Sequence, residues 1–170
     1  MTSAVLIIDV QRGVFESETE IFDAQRVIDN INILIDKARL QSSIVIFIQH
    51  EIQGVAEYGS KIWQLCSKLN VMPHDERVRK TTPDSFSGTN LDDILQKLDV
   101  DSLVVTGYAS DVCIDRTTFS AVTRGYSVKL IKDAHTTQSK GALTASQIRD
   151  HHNVILSMYP QVELIDTVDW

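Results

Sequence analysis

Short, nearly continuous apolar runs alternate along the chain with stretches whose apolar residues recur every three or four positions. The first run, AVLIID from Ala4 to Asp9, has the pattern of a strand buried on both faces. Asp23 is placed to cap a helix in which Ala24, Val27, Ile28, Ile31, Leu34, Ile35 and Ala38 form one apolar face. SIVIFIQ, Ser43 to Gln49, is rich in β-branched residues and reads as a second strand. Ile62, Trp63 and Leu65 predict a short helix, and Arg77 to Lys80 a short third strand. Leu91, Ile94, Leu95 and Leu98 mark another helix, and Ser102 to Gly107 the next buried strand. Ser110 or Asp111 can cap the helix that follows, which stops before Gly125. Ser127 to Lys132 is a strand. Ala145, Ile148, His152 and Ile155 share one helical face, and Val162 to Ile165 is the last strand.

A strand–helix alternation of this kind predicts an α/β fold. The expected architecture is a doubly wound open sheet of about six mainly parallel strands, with helices on both faces. No repeat, linker or low-complexity tract interrupts it, so residues 1–170 are read as a single domain. In such a sheet ligands bind beyond the carboxyl ends of the strands, where the strand order reverses. Four chemically capable residues fall there: Asp9 at the end of the first strand, His50 after the second, Lys80 at the end of the third and Cys113 just past the fourth.

Composition narrows the function classes. A chain of 170 residues, 43% apolar and 23% charged, is large enough for one continuous core. Its net charge of −7 argues against a nucleic-acid surface, which needs a basic face. No apolar run approaches the ~20 residues of a membrane span. MTSAVLIIDVQ has neither the basic flank nor the cleavage site of a signal peptide, so a cytoplasmic protein is expected. There its two cysteines, Cys66 and Cys113, would stay reduced. No CxxC or HExxH is present, and no GxGxxG follows the first strand. Neither a metal nor another cofactor is expected.

Cys113 would be the third residue of its helix if Ser110 is the cap. The helix N-terminus would then lower its pKa and favour the thiolate, with Asp111 and Asp115 opposing. The alternative is a small apolar residue packing a helix on the sheet. Asp9, at the edge of the core, could serve as a base or could simply order the next loop. Lys80, in RVRKTTPDSFSG, could be a solvated lysine of a basic cluster. Taken together the three supply a base, a cation and a thiol at one sheet edge, which is a nucleophile set.

Three motifs carry a family resemblance that runs nearly end to end: AVLIIDVQRGVF, KTTPDSFSGTNL and LVVTGYASDVCIDRTTFSAVTRGYSVKLIKDAHTT. In this order and spacing the chain resembles the isochorismatase-like cysteine hydrolases. The resemblance implies a six-stranded doubly wound fold and a catalytic triad of Asp9, Lys80 and Cys113. It also implies a non-proline cis peptide between Tyr108 and Ala109, and an oxyanion hole built from the N–H groups of Ala109 and Cys113. The implied chemistry is hydrolysis of a small amide through a thioester. A homo-oligomer is expected on the same ground.

Nicotinamidases of this family carry an Asp-x-His just after the second strand. FIQHEIQG has none, so a zinc site and nicotinamidase activity are not expected. His50 could instead hydrogen-bond substrate. Phe15, Trp63, Tyr108 and Ala109 are further candidates for the pocket, and Gln11 could orient a group near Asp9. His74, His135, His151 and His152 are expected on surfaces or at loop ends. Two other readings stay open: a vinyl-ether hydrolase of the isochorismatase type, and a catalytically silent scaffold.

Overall fold

The structure is a computed structural model that describes residues 2–170. Its centre is a six-stranded sheet in the order β3-β2-β1-β4-β5-β6. The strands are β1 (Thr2–Ile8), β2 (Ile44–His50), β3 (Glu76–Lys80), β4 (Val100–Tyr108), β5 (Ser127–Thr136) and β6 (Val162–Ile165). Every neighbouring pair is parallel. A parallel sheet must be covered on both faces. Accordingly, alternate residues of β1 belong to two apolar clusters, Ala4, Leu6 and Ile8 on one side and Val5 and Ile7 on the other.

The helices are α1 (Arg12–Phe15), α2 (Ala24–Leu40), α3 (Leu91–Lys97), α4 (Asp115–Thr123) and α5 (Ala145–Ser157). In α2 the buried set is Val27, Ile28, Ile31, Leu34, Ile35 and Ala38, which is the face the apolar spacing predicts. It packs with Val5, Ile7, Val45 and Phe47 of the sheet. In α5 the buried side chains are Ala145, Ile148, Asn153 and Leu156, so the face is rotated from the predicted one and Ile155 is 38% exposed. Its N-terminus is closed by a reciprocal capping box between Thr144 and Gln147.

Three expectations change. Residues 62–65 form no helix. The Cys66 N–H bonds Val10 O, and the carbonyls of Ile62 and Gln64 accept from the N–H groups of Gly13 and Arg12. Those long-range bonds use the carbonyls a helix would need. Second, the helix containing Cys113 opens with a π turn, Ser110–Ile114, in which the Ile114 N–H bonds Ala109 O five residues back. Third, β5 runs on past Lys132 to Thr136. A bulge accommodates the extra residues, since Val105 pairs with Leu130 while Gly107 pairs with His135. His135 is thereby wholly buried inside the sheet, not at a loop end.

Candidate active site

β1 lies at the point where the strand order reverses, between β2 and β4. Asp9 leaves its carboxyl end with φ 55°, a left-handed conformation that turns the chain just as the strand stops. The Asp9 N–H still bonds Ile48 O of β2. His50 and Lys80 end β2 and β3 and are paired in register. Across β1, β4 ends at Tyr108, a cis peptide joins Tyr108 to Ala109, and the π turn carries Cys113. The topology thus gathers residues far apart in sequence at one edge.

Lys80 is the centre of the cluster. Its side chain has no exposure to solvent. Its Nζ lies 2.9 Å from Asp9 Oδ2, 3.2 Å from Cys113 Sγ, 3.0 Å from His50 Nδ1 and 3.1 Å from Thr82 O. A buried ammonium needs such acceptors, because burial without them is costly. His50 Nδ1 is 3.6 Å from Asp9 Oδ2 and 3.9 Å from Cys113 Sγ. Asp9 Oδ1 is buried and has no hydrogen-bond partner among the described residues.

One ligand atom each from Asp9, His50 and Cys113 falls within 4.8 Å of the others, a spacing a metal ion could use. The Lys80 ammonium, however, contacts an atom of each of the three at 2.9–3.2 Å. The donor set therefore already surrounds a cation, and a metal would have to displace a buried lysine.

Cys113 is 5% exposed, and its environment differs from the expected one. Burial, reinforced by the charge of Asp9, pushes its thiol up to about 12, and the pull of Lys80 in the other direction is smaller. The helix N-terminus does not make this a standing thiolate. At neutral pH the side chain is therefore a neutral thiol. Asp111, two residues earlier, is tied to Lys140 Nζ at 2.6 Å and accepts from Thr137 Oγ1 at 2.6 Å. Burial tends to raise its carboxyl, but those bonds prevail and hold it below the usual carboxylate range.

A cavity of about 340 Å³ opens onto the cluster. Asp9, His50 and Cys113 line it from the cluster, and Val14, Ile52, Ile62, Tyr108 and Val112 provide mainly apolar walls. Ala109 also faces it. Phe15 and Trp63 do not line it. Phe15 sits edge-on against the Tyr108 ring at 6.2 Å, supporting that wall from behind. Trp63 packs on Tyr58 at 4.8 Å, and its carbonyl accepts from Gln11 and Gln49. Gln11 has a larger part than its sequence position suggested. Its amide accepts from the His50 N–H at 2.8 Å and donates to His50 O at 3.1 Å, so it ties the loop after β1 to the end of β2. Among the described residues, Lys140 is a cavity-lining residue that sequence reading did not single out. Only the long loop after β5 brings it there.

The isochorismatase domain profile matches residues 3–162. Streptothricin hydrolase of Streptomyces noursei is 32% identical over 136 residues, covering 79% of this chain and 54% of that protein. The secreted isochorismatase effector Isc1 of Verticillium dahliae is 30% identical, over 78% of this chain and 71% of its own. The chain spans about half the length of the streptothricin hydrolases it matches. A crystal structure of an isochorismatase family protein superposes with a TM-score of 0.91 at 32% identity, covering 96% of this chain and 98% of the other. Among the described residues no helix is long and apolar enough to cross a membrane. With the sheet order, the cluster at its switch point and a profile match across nearly the whole chain, this protein belongs to the isochorismatase family.

Proposed function

We propose that the protein is a cysteine hydrolase acting on a small amide-type substrate, with Cys113 as nucleophile, Asp9 as general base and Lys80 as the cation that holds both. The observation that carries this reading is the geometry around Lys80. One buried ammonium contacts Asp9 Oδ2 and Cys113 Sγ, Asp9 Oδ1 is left without a partner, and a carboxylate oxygen of Asp9 lies within 4.8 Å of the thiol sulfur. A carboxylate with an unpartnered oxygen near a neutral thiol is a proton acceptor in position.

The steps follow from those contacts. Asp9 removes the proton from the Cys113 thiol as sulfur attacks the carbonyl carbon. The new S–C bond pushes an electron pair onto oxygen. The carbonyl of Ala109 accepts from the N–H groups of Val112 and Ile114, bypassing that of Cys113. The Cys113 and Ala109 N–H groups are assigned to the oxyanion, a role in which preorganised donors are worth most. The C–N bond then breaks, and the leaving amine takes the proton held by Asp9. Water, giving its proton to Asp9, attacks the thioester and releases a carboxylic acid and the thiol. His50 accepts from Lys80 at Nδ1, so as a neutral imidazole it carries its proton on Nε2 and can donate to substrate. The apolar walls suit an uncharged substrate body.

The test is an ammonia-release assay over small amides and ureido compounds, nicotinamide included, with a Cys113→Ala control. Cysteine-dependent release is expected, and Cys113→Ala should keep its fold and lose turnover. Equal turnover in the control would remove Cys113 from the mechanism. Activity confined to a vinyl ether would replace the amide reading.

A further inference from the structure

His135 takes no part in the chemistry just described, yet it is a fully buried titratable side chain on β5, the strand next to the one that leads into the Cys113 turn. Both ring nitrogens are engaged. Nδ1 lies 2.8 Å from Ser110 Oγ, and Nε2 lies 2.8 Å from Asn153 Oδ1. The amide end of Asn153 is turned toward Lys132 O, at 3.4 Å. An amide oxygen can only accept, so the ring proton belongs on Nε2. A neutral imidazole has one such proton, which leaves Nδ1 as the acceptor for the Ser110 hydroxyl. Burial pushes the ring down to about 4, and the neighbouring Arg149 and His152 of α5 act the same way. The Asn153 bond and Asp133 of β5 oppose them. Gly107, its partner on β4, carries no charge.

Ser110 is itself fully buried and is the first residue of the π turn. It stands directly after Ala109 and three positions before Cys113, the residues whose N–H groups are assigned to the oxyanion. The next residue, Asp111, is also held from the end of β5 and its loop, by Thr137 and Lys140. Two successive residues of the nucleophile turn are thus anchored to the segment 135–140. An apolar side chain could fill the space of His135 at lower desolvation cost, but it could not join an acceptor on α5 to a donor on the turn through one rigid ring.

We propose that His135 is a positioning residue for the hydrolytic site: held by Asn153 as the Nε2-protonated tautomer, it fixes Ser110 and through it the orientation of the Ala109 and Cys113 N–H groups. It touches no reacting atom. The kinetic part of this inference rests on the cysteine-hydrolase reading above.

The experiment compares wild type with Ser110→Ala and Ser110→Thr in the full chain. Ser110→Ala deletes one oxygen and leaves every triad side chain in place. Its kcat on the best amide is expected to fall about tenfold, less than the ~100-fold typical of losing an oxyanion donor outright. KM should stay within about twofold. The rate at which iodoacetamide alkylates Cys113 should be unchanged, because that reaction uses no oxyanion hole. Ser110→Thr, which restores the hydroxyl, should recover kcat. Wild-type kcat in Ser110→Ala overturns the proposal, as does a parallel fall in kcat and alkylation, which would place the defect in the thiol or the fold. Imidazole 15N NMR supplies a readout independent of turnover. Wild type should show His135 as the Nε2–H tautomer at pH 7, with the Nδ1 resonance displaced in Ser110→Ala. An Nδ1–H tautomer or an imidazolium overturns the proposal even if no amide is turned over. Absence of Cys113-dependent turnover with the expected tautomer overturns the hydrolase reading instead.

Discussion

Lys80 has four protein acceptors around an ammonium that carries three protons. Such a group is held by its partners and holds them in turn. Its contact with Asp9 is a buried ion pair, and the penalty for breaking such a pair from one side exceeds the worth of the pair itself. Lys80→Met should therefore lower stability by ~3–5 kcal/mol, read from the urea midpoint, because it strands the Asp9 carboxylate. Adding Asp9→Asn to that variant should recover part of the loss. Wild-type stability in Lys80→Met would rule out the buried pair. In the sequence Lys80 taken alone reads better as a solvated lysine of a basic cluster, since Arg77 and Arg79 precede it. The alternation of the strand separates them: residues 77 and 79 are exposed while Val78 and Lys80 are buried.

At the scale of elements, the contact between β1 and β4 depends on Gly107. Its φ is +117°, and a Cβ built there would lie 2.1 Å from Ile8 O and 2.8 Å from Ile8 N. Both atoms are backbone of the neighbouring strand and cannot turn aside. β1 is the strand that delivers Asp9, and β4 delivers the turn bearing Cys113. Gly107→Ala should force the two apart, with a loss of more than about 4 kcal/mol in thermal or chemical unfolding and a low soluble yield. A well-folded Gly107→Ala protein would show that the strands can slide at this point. The sequence marked β4 and the following helix correctly, but not the π turn between them. Ser110 looks like an N-cap by residue type, yet its hydroxyl bonds His135 and caps nothing. Residue preference cannot reveal that a side chain 25 positions away has already taken the hydroxyl.

Across the whole molecule, burial of His135 couples the site to acid stability. The ordinary pKa of 6.5 is lowered to about 4 in the folded protein. A group lowered in this way contributes stability that is fully present above pH 6.5 and is lost as pH falls through about 4. The magnitude is roughly 3 kcal/mol, from about 1.4 kcal/mol per pH unit. Glu16 and Asp111, both lowered, add their effect only as pH drops below their ordinary values of 4.5 and 3.8. Urea midpoints measured from pH 7 to 4.5 should therefore fall in wild type, and His135→Gln should remove most of that slope. An unchanged slope in the variant would assign it to other groups.

What the sequence determined by itself was whatever repeats at short range. Continuous apolar runs specify strands buried on both faces, and a period near 3.6 specifies the α2 face residue by residue. Ordered motifs placed Asp9, Lys80 and Cys113 at the carboxyl ends of strands, which is enough to nominate a triad. The tertiary structure decided what depends on contacts between distant residues. It set Lys80 between Asp9 and His50, kept Phe15 and Trp63 out of the cavity lining, and raised the Cys113 thiol where a helix terminus alone would have lowered it. It also drew His135 into the sheet, because the DAHT segment becomes strand only when β4 supplies the pairing that its own residues do not demand. Charge, desolvation and hydrogen-bond partners belong to neighbourhoods in space, and those exist only once the chain has folded.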